Sequence, residues 1–234
     1  MKKINKFWLF FNLTVTLLVF VLSYLYQVNG FSYKFKRLNS GVCFALGAVN
    51  LLYALITNQG CKSFCLSMAL GLAFAGLGDC LIDSSFMLGA GLFGVGHILF
   101  VLAYCFLQKL KRLDLFISLA LFALAATFLI VTPFKHNDIL IIRGVLVGYA
   151  LVISTMLGKS IANLIRDKSV ATIVIVCASS LFFFSDLMLV FAGFITDWAL
   201  ADNLCLATYY PAVALLALST CLNTITGKNN QTQQ

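Results

Sequence analysis

The 234 residues are 62% hydrophobic and 10% charged, with a mean hydropathy of +1.00, whereas an ordinary soluble domain is about 25% charged. Too little polar material is present to cover a water-facing surface, so a soluble globular domain is excluded and an integral membrane protein is implied. The net charge of +8 requires no nucleic acid, because a basic fringe facing anionic lipid accounts for it.

The chain opens with Lys2, Lys3 and Lys6 ahead of an apolar run at 7–26. The flank is that of a signal peptide, but the apolar core is about 20 residues long and no small-x-small cleavage site follows, so it reads as a retained first span. Further runs long enough to cross a hydrocarbon core of about 30 Å lie at 40–57, 63–82, 86–107, 113–132, 138–158, 169–194 and 200–222. Lipid offers no hydrogen-bond partner to the backbone, so these runs are expected to be helices. The predicted fold is all-α: a single domain over 1–226, a bundle of eight transmembrane helices, with a disordered tail at 227–234.

In the links and tails, eleven lysines and arginines fall on the side of the N-terminus and four (Lys34, Lys36, Arg37 and Lys135) on the other. That bias places both termini in the cytoplasm. Lys34, Lys36 and Arg37 sit on the wrong side for the rule. They read as snorkelling cations or as a grip on a lipid phosphate, with Lys36 the candidate for substrate binding. The eight cysteines lie in or beside apolar runs with no C-x-x-C pair, and read as small buried apolar residues, not as disulfides or a zinc site.

All eight acidic residues are aspartates, and most sit in links or at span ends. Asp79, Asp186 and the mid-span His97 are the exceptions. An ionisable group inside a span costs at least about 2.5 kcal/mol, so its default reading is a functional one facing the bundle interior. His97 reads either that way or as a neutral imidazole bonded to a neighbouring helix. Spans three and seven run in the same direction, so Asp79 and Asp186 fall at comparable depth in the non-cytoplasmic half. Their surroundings, Gly78-Asp79-Cys80-Leu81 and Ser185-Asp186-Leu187-Met188, hint at a parallel internal repeat. Asp83, one turn after Asp79, either lines the mouth of the same cavity or is a solvated helix end.

Two carboxyl groups brought together in a low dielectric cannot both stay ionised cheaply, so one keeps a proton. Such a pair supplies an acid and an anionic partner together, which suits chemistry through an oxocarbenium ion. With one candidate histidine and few other buried ligands, no metal and no cofactor are expected. The run Gly89-Ala90-Gly91-Leu92-Phe93-Gly94 spells a dinucleotide fingerprint but lacks the strand before it and the acidic residue after it. With Gly71, Gly76, Gly78 and Gly96 it is expected to let spans three and four approach closely.

The stretch Phe74-Ala75-Gly76-Leu77-Gly78-Asp79-Cys80-Leu81, followed by Phe86, Gly89, Phe93 and His97, resembles the YhhN family, which includes the animal lysoplasmalogenases. Tyr149 with Met156, Phe184-Ser185-Asp186 with Leu189, and Tyr209-Tyr210 with Ala212 and Leu215 extend the resemblance over spans three to eight. It implies a hydrolase that cleaves the vinyl ether bond of lysoplasmalogens to a fatty aldehyde and a glycerophospho-headgroup, with Asp79 and Asp186 as its catalytic pair. The chain departs from the family pattern at Ala75, Phe100 and Val213, each apolar where the family tends to be polar.

The expectation is therefore a membrane-embedded ether-lipid hydrolase in a bacterial inner membrane, acting on a lysophospholipid. His97, Tyr149, Tyr209, Tyr210, Asp83 and Lys36 would be its binding or orienting residues. The single tail would lie between spans while the headgroup stays near the surface. The alternative is a proton-coupled transporter loading the same aspartates; with only Pro211 inside a span, a fixed cavity is favoured.

Overall fold

The computed structural model describes residues 3–28, 33–135, 139–195 and 198–226. Among them it contains eight long α-helices and no strand: α1 (Lys3–Val28), α2 (Tyr33–Thr57), α3 (Lys62–Leu81), α4 (Phe86–Leu107), α5 (Arg112–Val131), α6 (Ile139–Arg166), α7 (Val170–Val190) and α8 (Ala199–Thr226). A π-helical turn, Phe191–Ile195, continues α7. Each helix is long and apolar enough to cross a membrane, as the hydropathy of the sequence predicts. The expected tail at 227–234 lies outside the described residues.

Burial follows the logic of a lipid solvent. Large apolar side chains such as Phe7, Ile56, Phe116, Leu124 and Ile141 point outward, while Asn12, Asn50, Ser154 and Lys159 are buried among the helices. A helix facing lipid gains nothing by hiding its leucines, so the interior is free to hold polar groups that bond across helices. Helices α3 and α8 are the most enclosed, and α5 stands at the periphery against α6.

The short connections make successive helices antiparallel, so residues near both ends of the chain share one end of the bundle. There, Tyr53 donates to Asn5 at 3.1 Å and the Cys61 amide donates to Asn223 at 2.9 Å. The α2–α3 turn requires Gly60, whose φ of +71° is left-handed and whose Cβ, if present, would lie 2.8 Å from the Thr224 Cα. At the opposite end Gln27 meets the Asn203 carbonyl and the Lys135 amide donates to Phe194.

The α3–α4 pair packs most closely at its glycines. A Cβ on Gly96 would lie 3.1 Å from the Gly71 carbonyl oxygen, and one on Gly78 equally close to that of Gly89. Of the glycines in the fingerprint-like run only Gly89 packs against α3, as the sequence suggests; a Cβ on Gly91 would meet nothing within 4 Å and Gly94 faces Tyr149 of α6, while Gly76 faces Ser40 of α2.

Three expectations need correction. Helix α2 begins at Tyr33, about two turns before the apolar run at 40–57, because Lys36 is paired inside the bundle and does not belong to a polar link. The lysine is 4% exposed, so it does not snorkel. The cysteines are all free, but only Cys43, Cys65 and Cys221 are buried, and Cys80 and Cys177 face outward. A thiol is apolar enough to stand in lipid, so burial is not forced on it.

Candidate active site

Asp79 sits in the last turn of α3 and Asp186 near the end of α7. Both helices run the same way, so the two carboxylates reach the same end of the bundle, opposite the termini. Both line one cavity of about 130 Å³ between the helices. They are 3% and 9% exposed.

Their partners differ. Asp79 Oδ2 accepts hydrogen bonds from the Ser40 hydroxyl of α2 at 2.5 Å and the Tyr210 hydroxyl of α8 at 3.3 Å. Its Oδ1 lies 3.6 Å from the Lys36 ammonium, which also donates to Asp83 at 2.5 Å. Asp79 is therefore surrounded by donors from two neighbouring helices and a cation. A buried carboxylate is tolerated on such terms.

Asp186 is held on one oxygen. The Tyr149 hydroxyl of α6 donates to Oδ2 at 2.7 Å, and His97 Nε2 of α4 lies 2.8 Å from that hydroxyl and 3.2 Å from the same carboxylate oxygen. Since the Tyr149 proton is committed to Asp186, His97 meets two oxygens that both need a donor, which places a ring proton on Nε2. Among the described residues the buried Nδ1 has no partner, and a bare lone pair is the cheaper group to leave so. No hydrogen bond reaches Asp186 Oδ1 among the described residues, and the residue forms part of the cavity wall.

Aromatic rings seal the space behind the pair. Phe182 lies edge-on to His97 at 4.6 Å between ring centroids and to Tyr209 at 5.3 Å, and Phe93 meets Tyr209 at 5.7 Å. Excluding water there strengthens every electrostatic interaction inside. Pro211 follows the two tyrosines in α8, and its missing N–H leaves the Ala207 carbonyl without a helical donor.

Most of the residues singled out in the sequence converge here. Asp79, Asp83, Asp186, Lys36 and Tyr209 line the cavity, and Tyr149 and His97 bond to Asp186. Two expectations change. The Tyr209 hydroxyl donates to the Ala75 carbonyl at 3.2 Å, so its ring shapes the cavity while Tyr210 reaches the carboxylate. Asp83 combines the two alternatives: it is exposed just past the end of α3, and it lines the cavity, where Lys36 bridges it to Asp79. The sequence reading missed Ser40, Tyr26, Asp202 and Cys205, which bond to Asp79 or line the cavity. Ser40 carries no charge into its span, and Asp202 reads as an ordinary helix start; only the fold brings them near. Among the described residues, no three His, Cys, Asp or Glu side chains cluster as metal ligands would.

A comparison with protein families matches the chain to one of them. No curated protein and no solved structure matches the chain. The model of the YhhN family matches residues 40–220, most of the chain, leaving only Tyr26 and Lys36 of the cavity lining outside the match, so this protein belongs to the YhhN family.

Proposed function

We propose that this YhhN-family membrane protein is a hydrolase that cleaves the vinyl ether bond of lysoplasmalogen-type single-chain phospholipids. The observation that carries the reading is that Asp79 and Asp186, from helices far apart in the chain, line one cavity with unlike donor sets. A pair whose surroundings differ in this way is suited to separate acid and base roles.

In this reading Asp186 is the proton donor, since its Oδ1 is unengaged, and Asp79, ringed by Lys36, Ser40 and Tyr210, is the carboxylate partner. Asp186 gives its proton to the alkene carbon distal to the ether oxygen. The resulting oxocarbenium ion is stabilised by the Asp79 carboxylate. Water then adds to the carbon bearing oxygen and yields its proton to a carboxylate. The hemiacetal collapses, the C–O bond to glycerol breaks, the glycerol oxygen takes a proton, and a fatty aldehyde leaves. Tyr149 and His97 are positioning residues that fix the Asp186 carboxyl. Lys36, buried and paired with Asp79 and Asp83, keeps the Asp79 carboxylate anionic for its role beside the oxocarbenium ion.

The test is aldehyde release from lysoplasmenyl-ethanolamine by purified protein in bilayer vesicles. Turnover by the wild type that falls by about 10²–10⁴ in Asp79→Asn, the usual worth of general acid–base catalysis, is expected. Equal activity in the two proteins sinks the reading. Uptake of a solute driven by a pH gradient, without lipid turnover, decides for a proton-coupled transporter.

A further inference from the structure

A second hollow opens off the same carboxylate. It measures about 380 Å³ and lies between α5, α6 and α7, with Asp186 and Tyr149 in its wall and otherwise only apolar side chains. Its floor is α6, through Leu146, Ala150 and Ile153. One wall is the peripheral helix α5, and the other is α7 through Phe183, Leu187 and Val190. At one end α5 and the π turn close on each other where Phe128 meets Phe191, 5.3 Å between ring centroids.

We propose that this hollow seats the hydrocarbon chain of the substrate, with Ala125 of α5 and Ala150 of α6 as the small residues that leave room for it. The inference rests on the hydrolase reading and says where the apolar half of the substrate goes. A lysolipid changes from polar to apolar at the bond to be cleaved. Asp186 stands at the same change in the protein, because it lines both the polar cavity and the apolar hollow. A groove that merely packed bilayer tails would have no use for a carboxyl group and a tyrosine hydroxyl in its wall, since burying them costs free energy without benefit.

Size agrees with this occupant. A cavity of about 150 Å³ lined by apolar side chains takes one six-carbon ring. By that scale the hollow takes a chain of roughly fifteen carbons. The hollow is also within the range of about 300–1,000 Å³ found for small-ligand sites. The chain leaves one apolar surrounding for another, so little hydrophobic energy is gained. What the hollow supplies is register: a chain lying in it sets the reacting carbons beside Asp186.

The experiment uses the full-length protein and a saturated alkyl-ether lysophosphatidylethanolamine with a diazirine in its chain, which has no vinyl ether to cleave. After photolysis, labelled peptides are mapped with and without excess unmodified lysolipid. Competed labelling on α5, α6 and α7 around Leu121, Leu124, Phe128 and Leu187 is expected. Competed labelling confined to other helices, or groove labelling that excess lysolipid does not reduce, overturns the proposal; the latter means that bulk lipid alone fills the groove. Ala125→Trp, at a half-buried position, fills the hollow from the lipid side and is expected to lower competed labelling about tenfold at unchanged thermal stability. Undiminished labelling in this variant also contradicts the proposal. The two readings fail separately: groove labelling without aldehyde release defeats the hydrolase alone, and aldehyde release without groove labelling defeats the tail site alone.

Discussion

Two polar networks stand at opposite ends of this bundle, and they differ in what is left over. At the end shared by the termini, Asp114 of α5 is gripped by Lys159 at 2.9 Å and Arg166 at 2.6 Å, both from α6. The Lys159 ammonium also donates to the Gln108 and Lys109 carbonyls, and Arg166 reaches Gln108 and Asn163. Neither hollow described above touches this cluster. At the opposite end, four carboxylates (Asp79, Asp83, Asp186 and Asp202) line one cavity, and Lys36, the one cation in its described lining, pairs with Asp79 and Asp83 alone. The first network spends its charges on holding α4, α5 and α6 together. The second keeps carboxyl groups in reserve, and unspent polar capacity facing a cavity is what chemistry requires.

Substitutions that remove one charge from each network should separate the two roles. The largest effect is expected at the cavity: Asp186→Asn lowers aldehyde release by about 10²–10⁴, with thermal unfolding of the purified protein little changed. Unchanged turnover would erase the contrast. Next comes Lys159→Met, which leaves Asp114 with Arg166 and two carbonyls without their donor. It is expected to cost about 3–5 kcal/mol of stability, read as a lower unfolding midpoint, while turnover per folded molecule is retained. Combining it with Asp114→Asn should recover part of that loss; a double variant less stable than either single would show that the cluster is not a mutual clamp.

Smaller effects sharpen the account of the site. Tyr149→Phe removes a hydrogen bond to a carboxyl group, worth about 1.5–3 kcal/mol, and kcat/KM should fall by roughly 10–100-fold. Tyr209→Phe gives up a bond to the Ala75 backbone, so its kcat/KM should change by less than about fivefold. Equal losses in the two tyrosine variants would contradict the assignment of Tyr149 as the residue that positions Asp186. Smallest in turnover is Gly60→Ala, expected to cost at least about 1–2 kcal/mol for its left-handed φ, with the Cβ crowding the Thr224 Cα adding to that, and to leave kcat/KM unaltered.

The eight helices were legible because hydropathy over about twenty residues reports lipid contact directly. Asp79, Asp186 and His97 were legible for the opposite reason, since an ionisable group in such a run stands out against its neighbours. Lys36 was singled out as a site candidate, but its place inside a helix was not legible, because its neighbours Lys34 and Arg37 make the segment look like a polar link; its neutralisation by Asp79 and Asp83 exists only across helices. Ser40 and Tyr210 are uncharged residues of a kind common in spans, and nothing local distinguishes those that face a carboxylate. The hollow beneath α5 had no sequence signal, because Ala125 and Ala150 matter there for the volume they leave empty.

The central claim is that Asp79 and Asp186 act on one substrate as a unit. It is tested most directly by kcat/KM for lysoplasmenyl-ethanolamine in the wild type, Asp79→Asn, Asp186→Asn and the double variant. Groups that work together are strongly non-additive, so the double variant should be no slower than the slower single variant. Losses that multiply, or a single variant with wild-type turnover, would contradict it.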